Sequence, residues 1–265
     1  MSERVKIILD KNADILRLPA IALRGLVVFP GNIIHFEVGR KKSIAAIEWA
    51  MSNNNAVFLT AQQDMDVEDP GFKDLYAYGV VAEVKQVLRV SDELVKVLVE
   101  GKYRAKLLTL DSSGRFLLAS TKAAALRGTK SVDSARVEAL VRSVKEAFEE
   151  YLSLNPRLSK DVVYTIITNE DAALLCDYIP ANLLLKYTDK QALLNEGTVS
   201  GRLEKLLEIL RRETKILHIE KDIQSKVNEQ MDKNQRDYYL REQMRAISNE
   251  LDDFDDTREE AEEYK

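Results

Sequence analysis

The side chains that most often carry out chemistry are sparse in this chain of 265 residues. Its two histidines, His35 and His218, lie far apart, and neither has a Cys, a second His or a carboxylate at metal-ligand spacing. The single cysteine, Cys176, lies in the apolar run AALLCDYI, which favours a buried structural thiol over a nucleophile. We therefore expect no metal site, no cofactor and no catalytic residue in this chain.

Motifs that bind phosphates or activate a serine are not found either. The sequence contains no Gly-x-x-x-x-Gly-Lys-Ser/Thr loop and no Gly-x-Ser-x-Gly elbow. Residues 39–43, GRKKS, place cations before a helix start, but they lack the glycine-rich loop that aims backbone N–H groups at a phosphate. We interpret this segment as a solvated basic turn, with weak anion binding as the alternative.

The distribution of charge argues against a nucleic-acid partner. The formal net charge is −5, and residues 252–265 contain eight acids and two bases. This acidic tail carries a formal charge of −6 and leaves the preceding 251 residues at +1, and we expect the tail to be solvated. The rest of the chain is close to neutral and shows no basic stripe, so nucleic acid is not an expected partner.

The cellular location follows from the N-terminus and from the cysteine content. The segment MSERVKIILDKN has neither the apolar core nor the cleavage site of a signal peptide, and no apolar run approaches the roughly 18 residues of a membrane span. A single cysteine cannot form an internal disulfide and suits a reducing compartment. We expect a cytoplasmic protein that does not contact a membrane.

The first part of the chain has the period-two pattern of strands. In residues 34–38 the apolar positions alternate with His35 and Glu37, and residues 56–62 form a second apolar run. Between them Ile44, Ile47, Ala50 and Met51 fall on one helical face. Two successive hairpins follow, 79–90 with 94–100 around turn 91–93, and 103–110 with 115–121 around turn 111–114. We predict a mostly antiparallel β subdomain over residues 1–125, a meander with one inserted helix.

From about Ser131 the apolar period changes to 3.6 residues. One long amphipathic stripe ends at Asn155-Pro156, and shorter helices follow up to Gly197. Thr168 with Asp171, and Thr188 with Gln191, have the spacing of a capping box, and Pro180 is expected to interrupt a helix. We predict a helical bundle over residues 126–197, and hence an α+β fold.

The segment 198–251 has the composition of one very long helix. It contains no proline and, after Gly201, no glycine, and such a helix would measure roughly 80 Å. Apolar residues recur at heptad spacing over 203–217 and again over 240–254, but the two runs are out of register. We expect the first run to pack on its own domain. The second would pack against another subunit or module through Leu240, Met244, Ile247 and Leu251. The alternative is a helix docked along its whole length in the bundle.

Several segments resemble the N-terminal domain of the Lon protease family. Early matches are residues 18–24 (LPAIALR), 28–31 (VFPG) and 36–43 (FEVGRKKS). The strongest lie later, at 202–210 (RLEKLLEIL), 227–231 (VNEQM) and 238–247 (YYLREQMRAI). The resemblance implies a β-rich subdomain, a helical subdomain and a long helix that leads into an ATPase module and a peptidase module with a Ser-Lys dyad.

Neither of those modules is present in this sequence, which the resemblance therefore identifies as truncated before the ATPase module. The resemblance implies a parent that is an ATP-dependent serine endopeptidase of the AAA+ class, homohexameric, acting in protein quality control and the stress response. ATP and magnesium belong to the missing module. For this chain the resemblance implies a non-catalytic role in recognising unfolded or damaged proteins.

Recognition of damaged proteins requires an adaptable apolar surface. The candidates are Phe29 and Pro30 with Ile33 in and after one loop, and Met231, Tyr238 and Tyr239 along the long helix, where a flexible thioether and amphipathic rings occur in polar surroundings. The alternative is that Phe29 and Ile33 belong to the core and that the tyrosines pack on a neighbouring helix.

Three other functions stay open from sequence. A stand-alone coiled-coil adaptor or holdase chaperone would share the same surface. An enzyme would have to use scattered carboxylates or Cys176. A nucleic-acid role is the fourth hypothesis, although no basic face supports it.

Overall fold

The computed structural model describes residues 15–91, 93–128, 134–155 and 158–263, and it leaves undescribed the side chains of Ser134 and of residues 248–263. Asp92 and Pro156, which we expected in a turn and at a helix end, lie outside the described residues, as does the side chain of Leu251. Contacts divide the chain into two compact units, Met1–Arg212 and Glu213–Lys265.

The described part of the first unit begins with six strands and one inserted helix, and the strand Leu16–Leu23 was not among those predicted from the sequence. A short 3-10 helix, Phe72–Asp74, precedes the fourth strand. The elements are β1 (Leu16–Leu23), β2 (Ile33–Val38), α1 (Lys41–Asn53), β3 (Ala56–Ala61), β4 (Tyr78–Arg89), β5 (Val95–Asp111) and β6 (Leu117–Ala123).

The strands form one sheet of order β2-β5-β4-β3-β1-β6, and β6 also pairs with β5. Five strands therefore close into a ring, with β2 attached to the outside of β5. All pairings are antiparallel except β1 with β3, so the predicted mostly antiparallel sheet is confirmed. The sheet is not a simple meander, because β1 lies between β3 and β6 rather than beside β2.

β5 is one strand of 17 residues, where the sequence predicts two separate strands on either side of Gly101. A Cβ at Gly101 would lie 2.2 Å from the carbonyl oxygen of Phe29, so only glycine lets the two backbones approach here. The pairing with β4 shifts register at this point, between Val81 and Ala82. A β-bulge thus bends the strand without ending it.

The core of the ring consists of apolar side chains from five strands and the loop before β4. Phe58 is completely buried, and burying such a side chain contributes about 2–3 kcal/mol. α1 covers the sheet with Ile44, Ile47 and Ala50, as predicted, whereas Met51 is exposed. The cluster comprises Leu18, Ala20, Ala22, Ala56, Phe58, Leu75, Val81, Tyr103, Ala105, Leu107, Leu117 and Ala119.

The rest of the described chain is helical, which confirms the predicted α+β class. The helices are α2 (Ser134–Leu154), α3 (Lys160–Thr168), α4 (Ala172–Asn182), α5 (Tyr187–Asn195) and α6 (Val199–Glu263). Within the first unit, these helices bury apolar side chains in a core of their own. It includes Val144, Phe148, Ile166, Leu175, Ile179, Leu193, Leu194, Leu203 and Leu206.

Three details of the helices differ from the sequence prediction. Asp171 is the N-cap of α4 and accepts hydrogen bonds from the amides of Ala173 and Leu174, whereas Thr168 is the last residue of α3. Thr188 likewise lies inside α5, after its N-cap Lys186. Pro180 lies inside α4 and does not interrupt it.

α6 changes from buried to exposed along its length. Leu203, Leu206 and Leu210 are buried, Leu207 is half-buried, and every side chain from His218 to Ile247 is exposed. The backbone stays helical to Glu263, beyond the predicted end at Leu251, because residues 252–263 lack glycine and proline and are rich in helix-forming glutamate. We keep the subdomain boundaries at 125, 197 and 251 as predictions.

Candidate functional site

The first unit contains a cleft of about 800 Å³. Sites of this volume accommodate several side chains of a ligand. One wall belongs to β5, β6 and the loop before β2, and the other to α3, α4 and the start of α6. The apolar contributors to the lining are Pro30, Tyr103, Ala123, Ala124, Ala125, Leu126, Ala173, Leu174 and Tyr178.

The Pro30-Gly31 turn forms one edge of this cleft. Gly31 has a φ of 75°, in the left-handed region that glycine adopts without strain. Its amide donates to the carbonyl of Gly101 at 2.8 Å, and the amide of Gly101 donates to the carbonyl of Asn32 at 2.9 Å. These bonds fix the turn against β5, so Pro30 is held in place at the cleft.

The three candidate contact residues near this turn differ in their exposure and in whether they line the cleft. Phe29 is 0% exposed, so the hypothesis of a surface contact by its side chain is wrong and the core alternative is correct. Pro30 is half-buried and lines the cleft. Ile33 is 61% exposed on β2, outside the lining of the cleft.

The floor of the cleft contains a buried guanidinium. Arg202 is completely buried at the first turn of α6 and forms an ion pair with Asp177 of α4 through Nη1 and Oδ1. Its Nε donates to the carbonyl of Glu196 at 3.0 Å, and its Nη2 donates to that of Leu194 at 3.2 Å. A buried charge needs such partners, and here they join α4, α5 and α6.

A second arginine, Arg104 of β5, lies beside the first. Its Nη2 donates to the carbonyl of Asn195 at 2.8 Å, and the guanidinium lies 4.1 Å from the centre of the Tyr78 ring. Burial, together with the nearby charge of Arg202, lowers the pKa of Arg104 to about 10. The bond to Asn195 therefore joins the sheet to α5, while the contact with the Tyr78 ring joins β5 to β4.

Glu196 organises the turn that enters α6. Its Oε1 accepts hydrogen bonds from the amides of Gly197 and Thr198 and from Thr198 Oγ1, at 2.9, 3.1 and 3.0 Å. Its Oε2 lies 3.3 Å from Lys205 Nζ. Although burial opposes ionisation, these bonds lower the pKa of Glu196 to about 2. The Glu196 carboxylate therefore has a structural role.

The arrangement can bind a ligand, and most of its charged groups already have partners within the fold. Arg104 Nε is buried and has no hydrogen-bond partner among the described residues. Cys176 is buried, its Sγ lies 3.8 Å from the carbonyl of Val199, and burial raises its thiol pKa to about 12, which suppresses nucleophilic reactivity. Within the described part of the chain, no three His, Cys, Asp or Glu side chains are grouped to hold a metal ion. Nor does any helix of that part combine the length and apolarity needed to cross a bilayer.

The basic segment 39–43 is tied to a neighbouring loop. Arg40 Nη2 donates to Gln62 Oε1 at 2.6 Å and to the carbonyl of Val67 at 3.1 Å, and Lys42 pairs with Asp69 at 2.9 Å. Burial and the charge of Arg24 lower the pKa of Arg40. The interpretation as a solvated turn is therefore wrong for Arg40, which is a structural cation.

The candidates on α6 are all exposed where their side chains are described. Met231, Tyr238 and Tyr239 present apolar area to solvent, and so do Leu240, Met244 and Ile247 of the distal stripe. Tyr238 and Tyr239 are 68% and 62% exposed, and the hydroxyl of Tyr239 accepts a hydrogen bond from Gln243 Nε2 at 3.2 Å. The sequence reasoning missed Leu174 and Tyr178, since the run AALLCDYI does not reveal which of its members face the cleft.

Comparison with known proteins identifies the family of this chain. The sequence profile of the ATP-dependent protease La (LON) substrate-binding domain matches residues 17–212. A Lon protease of Clostridioides difficile is 38% identical over 251 residues, which are 94% of this chain and 32% of that protein. The Lon protease of Escherichia coli K12 is 38% identical over 255 residues, which are 96% of this chain and 32% of that protein. The chain spans about a third of the length of these curated relatives.

Solved structures agree with this at the level of the fold. The N-terminal domain of a Mycobacterium avium complex Lon protease superposes with a TM-score of 0.60 at 20% identity, covering 74% of this chain and 98% of that one. A Lon N-terminal domain protein from Xanthomonas campestris gives a TM-score of 0.51 at 15% identity, covering 73% and 98%. The ring of strands, the helices behind the cleft and the matched residues 17–212 together show that this chain belongs to the family of Lon protease N-terminal, substrate-binding domains.

Proposed function

We propose that this chain is the non-catalytic substrate-recognition and assembly domain of an ATP-dependent Lon-type protease. It binds exposed apolar segments of misfolded and regulatory proteins in the cytoplasm and passes them to the ATPase and peptidase modules of the parent. The observation that carries the proposal is the apolar cleft within the family-matched residues 17–212. Such a cleft suits a partly extended peptide with large apolar side chains.

Within the cleft, the exposed side of Leu174 and the ring of Tyr178 supply the apolar contact area, and Pro30 supplies a rigid edge. An aromatic ring combines a large contact area with a polar tip, so it adapts to varied sequences. The buried Arg202–Asp177 pair closes the floor without offering a free charge.

α6 contributes a second surface in this proposal. Met231, Tyr238 and Tyr239 make additional substrate contacts. Leu240, Met244, Ile247 and Leu251 pack against neighbouring subunits or against the ATPase module, in a parent that assembles as a homohexamer.

Binding of a permanently unfolded protein to the 265-residue chain tests the proposal. The probe is reduced and carboxymethylated lactalbumin, followed by fluorescence anisotropy. Leu174→Asp places a charge against the apolar lining and should weaken binding about tenfold. Leu184→Asp is the matched control, because Leu184 is 78% exposed and does not line the cleft.

Cross-linking of the same complex, mapped by mass spectrometry, gives an independent readout. We expect labels at Pro30, Leu174 or Tyr178 and at Met231. Equal binding by both aspartate variants, with labels confined to other parts of the bundle, would contradict the cleft as the site.

A further inference from the structure

β2 is the one strand of the described sheet with a single neighbour. It pairs with β5 from Ile33 opposite Glu100 to Val38 opposite Val95, in six consecutive pairs without a register shift. Every other strand has partners on both sides. One long edge of β2 is therefore unpaired.

The hydrogen bonds on either side of β5 show which residues of β2 face that free edge. The amide of Gly101 bonds to Asn32, and paired residues in an antiparallel ladder alternate between bonded and non-bonded. Ile34, Phe36 and Val38 therefore bond toward β5. Ile33, His35 and Glu37 direct their N–H and C=O groups away from it.

The β4 side supports the same alternation. The amide of Val84 in β4 donates to the carbonyl of Asn55 at 2.7 Å, so it points away from β5. Val99 lies opposite Val84 on β5, and its main-chain groups therefore bond to β2 rather than to β4. No hydrogen bond from the described part of the chain occupies the outward groups of Ile33, His35 or Glu37.

The usual protections of a sheet edge are not found in β2. Such edges carry lysine, proline or a bulge, or are short or covered, because a free row of donors and acceptors templates another strand. β2 has no lysine, proline or bulge, and its only formal charge is Glu37. Beside it lies a cavity of about 330 Å³. Its apolar lining comes from Phe36 and Val38 of β2 and from Ile21, Leu23 and Leu26, and Arg24, Glu37 and Arg40 also line it.

We propose that an extended segment of an unfolded polypeptide binds as an additional strand along the free edge of β2, with an apolar side chain in the adjoining cavity. The inference rests on the proposed function and specifies one mode of substrate binding. Main-chain hydrogen bonds recognise any strand without proline, and the cavity favours segments with apolar residues. An unfolded chain exposes free main-chain donors and acceptors along most of its length. In a folded second copy, the described sheet exposes a free strand edge only at β2.

A proline at an outward position tests the proposal. His35→Pro removes one outward N–H and places a ring on the free edge, while the bonds of Ile34 and Phe36 to β5 remain. His35→Ala is the matched control that keeps the main-chain donor. With an eight-residue peptide rich in valine and tyrosine as the probe, His35→Pro should bind about tenfold more weakly and His35→Ala as tightly as the parent chain.

A second experiment changes the peptide and uses the unsubstituted chain, so it tests strand addition even if His35→Pro fails to fold. The same peptide with four consecutive N-methylated central residues can donate no hydrogen bonds along that stretch, and it should bind the unsubstituted chain about tenfold more weakly. Equal binding of both peptides, or unchanged binding by a folded His35→Pro, would overturn strand addition.

The outcomes separate this proposal from the proposed function. If Leu174→Asp weakens binding and His35→Pro does not, substrate recognition stands and strand addition falls. If the unsubstituted chain binds neither peptide nor lactalbumin, both fall. If His35→Pro only converts a dimer into a monomer in sedimentation, the edge joins two copies and the proposal is wrong.

Discussion

Arg202 and Asp177 form an ion pair at the floor of the cleft, with the guanidinium completely buried and the carboxylate largely so. The pair joins α6 to α4, and the remaining donors of Arg202 reach carbonyls at the end of α5. Three helices of the first unit are thus fixed to one another by one side chain.

Removal of the carboxylate should destabilise the fold strongly. Asp177→Ala leaves a buried guanidinium without its counter-charge, and we expect the free energy of unfolding to fall by about 3–5 kcal/mol. Urea denaturation followed by circular dichroism measures this change. The exposed pair Arg142–Glu138 within α2, whose side chains are 73% and 64% exposed, provides the control: Glu138→Ala should cost less than about 1 kcal/mol. Similar losses in both variants would contradict this role of the buried pair.

Glu196 should make stability depend on acid pH. Its pKa is about 2 in the folded chain and 4.5 when unperturbed, so its contribution is complete above pH 4.5 and is lost as the pH falls toward 2. Urea midpoints at pH 7, 4.5 and 3 should fall more steeply for the parent chain than for Glu196→Gln. Glu83 and Glu100 also have lowered pKa values, so the difference between the two profiles is the readout. Parallel profiles would be evidence against this assignment.

Cys176 should be inert in the folded protein. Because burial raises the pKa of its thiol to about 12, little thiolate exists at pH 8, and reagents cannot reach the sulfur. Alkylation by iodoacetamide, followed by mass spectrometry, should be more than about a hundredfold slower in buffer than in 8 M urea. Rapid alkylation of the native chain would revive a chemical role for this residue.

The distal stripe of α6 should promote association of the chain. Met244 is exposed and apolar, and a charge at this position should prevent packing against another helix. Sedimentation velocity at increasing concentration should show self-association of the parent chain, and its loss in Met244→Glu. Ala246→Glu introduces the same charge on another side of the helix and should leave association intact. A monomeric parent chain would restrict the stripe to packing against the ATPase module.

Local patterns were sufficient to predict most elements of the fold. β3 and the buried face of α1 follow from periodicity, because each is decided by residues close in sequence. The parallel pairing of β1 with β3 and the antiparallel pairing with β6 were not predictable, since they depend on strands distant along the chain. The cap of α4 was missed because Thr168 and Asp171 both suit an N-cap.

The candidate site was only partly predictable for a related reason. Phe29 and Pro30 are adjacent, yet Phe29 enters the core beneath Gly101 while Pro30 lines the cleft. Composition cannot separate two apolar neighbours whose directions are fixed by a turn against a distant strand. The exposure of Met231 was easier to anticipate, because its neighbours in sequence are polar on all sides of the helix.

Closure of the ring sets an order of events during synthesis. Leu16 and Thr121 are joined by a hydrogen bond although they are 105 positions apart. A nascent chain therefore keeps β1 without one of its neighbours until β6 has left the ribosome, and the many distant pairings slow folding. Early strands with open edges are the targets of chaperones, so this chain itself passes through a stage in which it resembles the unfolded proteins that we propose it binds.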